Sequence, residues 1–494
     1  MLIERLERSP HAQVRHAGLH EVVLGPGPLR QRVDTNATAT IPHCRRMMEE
    51  AGNFESFLIA QGVSQAKPRG FNFRDENVYK WLEGVALSLA TRTSPALAEA
   101  AEHAIGLINA TQQPDGYLNT PYTCDRLPRW TDLAMGHEIY TGGTLIEAGI
   151  AHHRATGRDT LFGAARKWAD LLCDTFGEGR QRGACGHPEI EVALIELYRE
   201  TGARKYLELA QYFINLRGTQ PPVCGGRAYM QDHLPVREQH TAVGHVVRAL
   251  YLYAGMTDLY IETGEPALLD TLRTLWEDVV RGKLYVTGAL GARYNEEDFG
   301  EAYELPNERA YCETCGTIAW MRWNRRLFAV SPEARYVDAI EHALYNGFLA
   351  GTARDGVTFF YQNPLESHGQ HARWAWHRCA CCPPNVVRTM AQLPTYLFSV
   401  GPRALYVNLY QNATFDGALG GDEAVRLDVR TDYPWDGRVT LTVRSAAQPF
   451  DLYLRIPGWC PRVQLSGPVA PEEAPRPESY VRLAGVRPGD TYEL

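Results

Sequence analysis

The feature that most restricts the fold is a helical hairpin written four times. Ala155-Thr-Gly-Arg158, Glu200-Thr-Gly-Ala203, Glu262-Thr-Gly-Glu265 and Val330-Ser-Pro-Glu333 each lie between stretches with apolar residues at helical spacing. Gly supplies the left-handed conformation that ends a helix, and Pro332 suits the first turn of the next. One helix upstream of each turn stands a polar group able to bind a ligand: His137, His187, His245, and the triplet Glu313-Thr-Cys315. These lie 14 to 19 residues before the Thr or Ser of the turn. A helix of that length runs about 21–28 Å, so turns on one rim put these groups on the other. A single histidine in such a place is most simply a helix-start residue capping its own backbone. The same placement four times points to a shared site at one mouth of a solenoid or closed toroid of α-hairpins.

From about Ala404 the period changes from helical to two. Leu405-Tyr-Val-Asn-Leu409, Val425-Arg-Leu-Asp-Val429, Val439-Thr-Leu-Thr-Val443 and Leu452-Tyr-Leu-Arg-Ile456 alternate, with turn signals at Asp436-Gly437 and Pro457-Gly458. The expectation is an antiparallel β-sandwich over 401–494 behind a helical domain over 25–400. Residues 1–24 are expected to add a strand, Glu21-Val-Val-Leu24, to that sandwich. Without such a strand, a C-terminal piece of the sandwich would be missing.

Composition narrows the partners. The 494 residues carry a net charge of −8, which disfavours nucleic acid, since phosphate binding wants a basic face. No run of 18 apolar residues suggests a membrane span, and the charged N-terminus lacks the apolar core of a signal peptide. The eleven cysteines are odd in number and six stand scattered singly. Without an export signal this reads as reduced thiols in a cytoplasmic protein rather than a disulfide framework.

The other five cysteines (312, 315, 379, 381 and 382) cluster. Glu313 with Cys315, and Cys381 with Cys382, could grip one ion from two segments, because thiolates favour zinc and a carboxylate completes a tetrahedral set. The alternative is buried free thiols. Cys381-Cys-Pro-Pro-Asn385 also looks like a helix start, where a thiol feels the positive end of the dipole and becomes a better nucleophile. Asn295-Glu-Glu-Asp298, Glu301 and Glu304 form an acidic run; it is either solvated surface or the source of a proton donor. Tyr117, Trp130, Tyr140, Tyr229, Tyr361, Trp374 and Trp376 lie near these loops; such rings serve sugar sites, though most aromatics are core.

Gln113-Pro-Asp-Gly-Tyr-Leu-Asn119, Gly136-His-Glu138, Gly186-His-Pro-Glu-Ile-Glu191, Tyr303-Glu-Leu-Pro-Asn307, Ala310-Tyr-Cys-Glu-Thr-Cys315, Phe359-Phe-Tyr-Gln-Asn-Pro364, Cys381-Cys-Pro-Pro-Asn385 and Leu454-Arg-Ile-Pro-Gly-Trp459 stand in this order. Together they resemble glycoside hydrolase family 127, the β-L-arabinofuranosidases, from about residue 20 to the end. The resemblance implies a mainly α fold with a β domain: an (α/α)6 barrel followed by an antiparallel β-sandwich, with the family's further C-terminal β domain absent. It implies zinc held by Glu313, Cys315, Cys381 and Cys382, with Cys381 as nucleophile. Glu297, eight residues before Leu305, matches the general acid/base, and Glu301 in Gly300-Glu-Ala-Tyr303 is its rival. His137, His187, His245 and Tyr361 match sugar-contacting positions. The activity implied is retaining hydrolysis that releases L-arabinose from a small arabinose-containing oligosaccharide or glycoconjugate; a homodimer is the oligomer considered.

Three other readings compete. One is an enzyme of the same fold acting on another pentoside or a uronide, or epimerising a sugar with paired His bases. A second is a non-catalytic, zinc-containing carbohydrate-binding protein. A redox-sensing thiol protein is the third.

Overall fold

The computed structural model describes residues 3–421 and 423–494. Six helices form an inner ring: Asp75–Leu89, Glu138–Thr156, Ile190–Thr201, Val246–Thr263, Thr314–Val330 and Cys382–Gln392. Each packs against the next in this order, and Cys382–Gln392 returns to pack against Asp75–Leu89, so the ring closes. Outside it lie Ile41–Ala51, Pro95–Thr111, Thr160–Thr175, Arg204–Leu216, Pro266–Gly282 and Ala334–His342, each against an inner helix. This is the (α/α)6 barrel.

The two rings differ in sequence as they differ in burial. Outer helices such as Thr160–Thr175 and Arg204–Leu216 bury one stripe and are polar elsewhere. The inner helix Asp75–Leu89 is buried from Asp75 to Ser88 on every face. Three inner helices end on Gly157, Gly202 and Gly264 at φ of +71°, +72° and +68°. Each glycine N–H donates to the carbonyl four residues earlier, on His153, Tyr198 and Tyr260. The Thr-Gly turns thus share one rim, and the helix starts share the other.

Ten strands build the second domain: β1 (Arg15–His16), β2 (Val22–Leu24), β3 (Phe398–Gly401), β4 (Ala404–Val407), β5 (Ala413–Leu419), β6 (Glu423–Thr431), β7 (Val439–Ala446), β8 (Phe450–Ile456), β9 (Ser479–Val486) and β10 (Thr491–Glu493). They form two five-stranded sheets ordered β1-β3-β4-β8-β9 and β10-β7-β6-β5-β2. Pairing is antiparallel except at β4–β8, which run parallel with Leu405 opposite Leu452. The purely antiparallel sandwich expected from the sequence needs that correction. Its cause is that β5–β7 intervene in the other sheet, so β8 re-enters by a crossover and not a hairpin. Two N-terminal strands join the sandwich, β1 beside β3 and β2 beside β5.

Buried ion pairs weld the domains. Arg455 of β8 is fully buried and reaches Glu341 at 2.7 Å and also Asp338, both on the outer helix Ala334–His342. Ahead of β1 the chain crosses the turn-side end of the barrel, where Glu4 lies 3.1 Å from Arg325.

Candidate active site

All six inner helices begin at the same mouth, so six backbone N-termini point into one cavity. Its volume is about 190 Å3, and its walls include His137, His187, His245, Glu297, Glu313, Cys315, Tyr361, Cys379 and Cys381. Four of these follow from the repeat: His137 immediately precedes Glu138–Thr156, His245 precedes Val246–Thr263, Glu313 precedes Thr314–Val330, and Cys315 opens that helix. His187 lies further from its helix, and Glu189 takes the cap position there. Non-glycine residues in the left-handed region gather around the cavity: His137 at φ +59°, Glu296 at +60°, Glu297 at +53° and Cys312 at +41°. Such conformations persist only where the surroundings enforce them.

The three histidines stand in a row, with ring centroids 5.7 Å apart from His137 to His187 and 5.9 Å from His187 to His245. Their hydrogen bonds set the tautomers. His137 and His187 donate from Nδ1 to the carbonyls of Met135 and Pro188, so each leaves Nε2 as an acceptor. His245 Nδ1 instead accepts from the Val247 N–H at 3.1 Å, so its Nε2 carries the proton and donates to Glu297 Oε2 at 2.9 Å. Burial, and then the Arg248 charge, pushes His137 down to about 3 and His187 well below the usual range. All three rings are neutral at pH 7.

Burial, the largest single influence, would raise the Glu297 carboxyl, but the hydrogen bond and electrostatic pull of His245 together with hydrogen bonds from Glu313 and Tyr311 hold it low. Glu301 lies outside the cavity: its side chain is 85% exposed and approaches only Arg293, at 3.9 Å. The acidic run therefore divides, with Glu297 turned in and Glu301 turned out.

Glu313, Cys315, Cys381 and Cys382 bring one ligand atom each within 4.8 Å of one another. Cys315 Sγ lies 3.5 Å from Cys382 Sγ, and Cys381 Sγ lies 3.8 Å from Cys382 Sγ. Glu313 Oε1 is 3.6 Å from Cys381 Sγ and 3.7 Å from Cys382 Sγ. A tetrahedral zinc ion with Zn–S of about 2.3 Å and Zn–O of about 2.0 Å needs S···S edges of about 3.8 Å and S···O edges of about 3.5 Å. The four residues fit such an ion. Their chemistry agrees: burial, then the thiols and Glu297, lift Glu313 well above the carboxylate range, and burial and its sulfur neighbours lift Cys382. Without a cation this set cannot all ionise. Cys381 and Cys382 stand at the N-terminus of Cys382–Gln392, where the positive end of the helix dipole opposes that rise and favours the thiolates a cation would hold.

Several cavity groups escaped the sequence reading. Lys80 Nζ lies 2.5 Å from Glu76 Oε2 and donates to the Tyr140 hydroxyl at 2.6 Å, all three fully or nearly fully buried. Arg248 donates to His137 Nε2 at 3.4 Å. Beneath the cavity Arg388 binds Glu189 at 2.6 Å, Glu147 at 2.7 Å and Glu83 at 3.0 Å. The lysine was open to discovery: it is one of five in the chain and sits in the middle of an apolar helix. Among the aromatics named earlier, Tyr140, Tyr229 and Tyr361 line the cavity. Tyr117 and Trp130 instead pack on Trp168, where Glu138 receives the Tyr117 hydroxyl. Trp374 is exposed beyond the rim.

A closed (α/α)6 ring with ionisable and aromatic side chains at its N-terminal mouth has the build of a carbohydrate-active enzyme. Comparison with known proteins supplies the family. The description "Beta-L-arabinofuranosidase, GH127 catalytic domain" matches residues 21–395, and the GH127 middle domain matches 404–494. The chain is 36% identical over 444 residues to a non-reducing end β-L-arabinofuranosidase of Bifidobacterium longum subsp. longum, covering 81% of this chain and 67% of that protein. A solved GH127 β-arabinofuranosidase superposes with a TM-score of 0.92 at 35% identity, over 98% of this chain and 80% of the other. A GH127 β-L-arabinofuranosidase from Geobacillus stearothermophilus T6 gives 0.90 at 38%, over 96% and 81%. The protein belongs to glycoside hydrolase family 127 and is a glycoside hydrolase. Among the described residues no helix is long and apolar enough to cross a membrane.

Proposed function

We propose that the protein is a retaining exo-acting β-L-arabinofuranosidase with Cys381 as nucleophile and Glu297 as acid/base. One observation carries this reading: Cys381 and Glu297 wall the same cavity, on either side of Glu313. At about 190 Å3 the cavity is below the size of drug-like sites. It suits one sugar ring held at its end and not a run of them. The substrate comes from the relatives, whose names specify β-L-arabinofuranosidase. A small arabinose-containing oligosaccharide or glycoconjugate, met in the cytoplasm, fits that class.

Glu313, Cys315, Cys381 and Cys382 would hold zinc, which supplies a positive charge that keeps thiols ionised at neutral pH. The Cys381 sulfur attacks the anomeric carbon as the bond to the leaving oxygen breaks. Glu297 protonates that oxygen. Glu297 and Glu313 hydrogen-bond to each other, with the shared proton on Glu313 when no cation is bound; a cation held by the Glu313 carboxylate would move that proton to Glu297. His245 Nε2–H then steadies the Glu297 carboxylate once the proton has gone. Glu297 next takes a proton from water, whose oxygen displaces sulfur from the anomeric carbon. Two inversions give net retention, as in carboxylate glycosidases. His187 offers an Nε2 acceptor and Tyr361 a hydroxyl to the sugar, while His137 presents its Nε2 together with the Arg248 guanidinium that donates to it.

The test is hydrolysis of an aryl β-L-arabinofuranoside by reduced, zinc-loaded protein, with Cys381→Ser alongside and the anomer of the first product read by NMR. Turnover by the parent alone, giving β-L-arabinofuranose first, is expected. An α product, or full activity in Cys381→Ser, would overturn the mechanism. No turnover of the arabinofuranoside, with hydrolysis of an aryl glycoside of another pentose or of a uronic acid by the same protein, would replace the substrate.

A further inference from the structure

Two runs of aromatic rings climb from the cavity wall to the surface, and neither is needed for the chemistry. The first starts at His137, passes to Phe73 at 4.8 Å, and continues to Phe71 at 5.3 Å with the two phenyl planes only 2° apart. The second starts at Tyr361, passes to His377 at 5.7 Å, and reaches Trp374 at 6.3 Å with planes 18° apart. Arg378, which follows His377, places its guanidinium 5.7 Å over the Phe71 ring, so the two runs meet at the surface.

Burial falls along both runs. His137 is buried and Tyr361 half-buried; Phe71, Phe73 and His377 are half-buried, and Trp374 is 63% exposed. Phe71 and Trp374 belong to no buried cluster among the described residues, so packing of the core does not account for them. The main chain that carries the indole is nevertheless fixed, because Trp374 and Phe359 exchange both backbone hydrogen bonds, at 2.8 and 2.9 Å.

We propose that Phe71, Trp374 and Arg378 form the binding site for the leaving group, and that these three residues set a preference for a sugar there over a small leaving group. The cavity admits one ring, so whatever is attached at the anomeric oxygen must lie along the exit from it. The apolar C–H face of a sugar ring packs on aromatic faces, while its hydroxyls seek donors such as a guanidinium. Flat rings backed by an arginine provide both. The proposal rests on the exo-arabinofuranosidase reading and extends it to the far side of the scissile bond.

The experiment compares two substrates on one zinc-loaded enzyme: methyl β-L-arabinofuranoside, whose leaving group is too small to stack, and a β-linked arabinofuranosyl disaccharide. Phe71→Ala and Trp374→Ala are expected to lower kcat/KM on the disaccharide about tenfold each, mainly through KM, and to leave the methyl glycoside within about twofold; tenfold is about 1.4 kcal/mol, the scale of one stacked ring. Phe71→Tyr should restore the disaccharide value, which separates stacking from misfolding. Equal losses on both substrates, or no loss on either, would overturn the site. A preference restored only when the leaving group is an amino acid would overturn the sugar assignment. Failure of the parent on both substrates would instead count against the exo-arabinofuranosidase reading itself.

Discussion

His245 Nε2 lies 2.9 Å from Glu297 Oε2, and the backbone fixes which of them holds the proton. The Val247 N–H occupies His245 Nδ1, so the ring cannot accept from Glu297 and can only donate. The carboxylate is thereby oriented by a neutral imidazole.

Glu297→Gln is therefore expected to lose 100- to 10,000-fold in kcat, roughly the contribution of a positioned general acid. Its metal content should match the parent. Glu301→Gln, altered on an exposed side chain, should keep parental rates. Steady-state kinetics and metal analysis on the two proteins decide it; a loss in the second and not the first would exchange their roles.

The four-residue cluster should bind one divalent ion per chain. Cobalt substitution is expected to give thiolate charge-transfer bands that weaken stepwise in Cys315→Ser, Cys381→Ser and Cys382→Ser. Removal of the ion by a chelator should lower Tm, since a ligand bound only by the folded state stabilises it. Unchanged spectra across the three variants would remove the thiols from the site.

Arg388 binds Glu83, Glu147 and Glu189 in a buried cluster, in which Arg322 also meets Glu147 and Glu189. Arg388→Met leaves three acids without it and should destabilise the fold by about 3–5 kcal/mol in denaturant titration. Restoring neutrality with Glu147→Gln in the same chain should recover part of that loss.

Stability should fall as pH drops below about 6.5. His16, His137 and His187 are buried and neutral, each with its pKa depressed by desolvation. Below the unfolded histidine value the unfolded chain binds protons that the folded chain refuses. The slope from three such groups is at most about 4 kcal/mol per pH unit. Denaturant titrations between pH 7 and 5 would show it, and a flat profile would mean that these rings protonate in place.

The sequence discloses this site unevenly. His137, His245, Glu313 and Cys315 could be placed because helix length converts spacing into position on a rim. Cys381 and Cys382 were legible because Pro-Pro marks a helix start. Glu76, Lys80 and Arg248 were not, because an inner helix is buried all round and no face distinguishes a cavity from packed core. Asp75 and Glu76 in a first turn read as ordinary partners of the helix dipole. The parallel pair β4–β8 was hidden for another reason: alternation shows that a segment is a strand but not which neighbour it meets. β1, two residues long, offers no period at all.

Ring closure also sets when the proposed metal site can be completed. Cys315 and Cys382 touch across 67 positions of sequence, and Cys382 arrives on the last inner helix. A nascent chain emerging from the ribosome as far as residue 380 would present Glu313 and Cys315 alone, half of a coordination sphere. Metallation at the proposed site would thus be coupled to completion of the toroid, and uptake of the ion during synthesis would time-stamp the moment the barrel shuts.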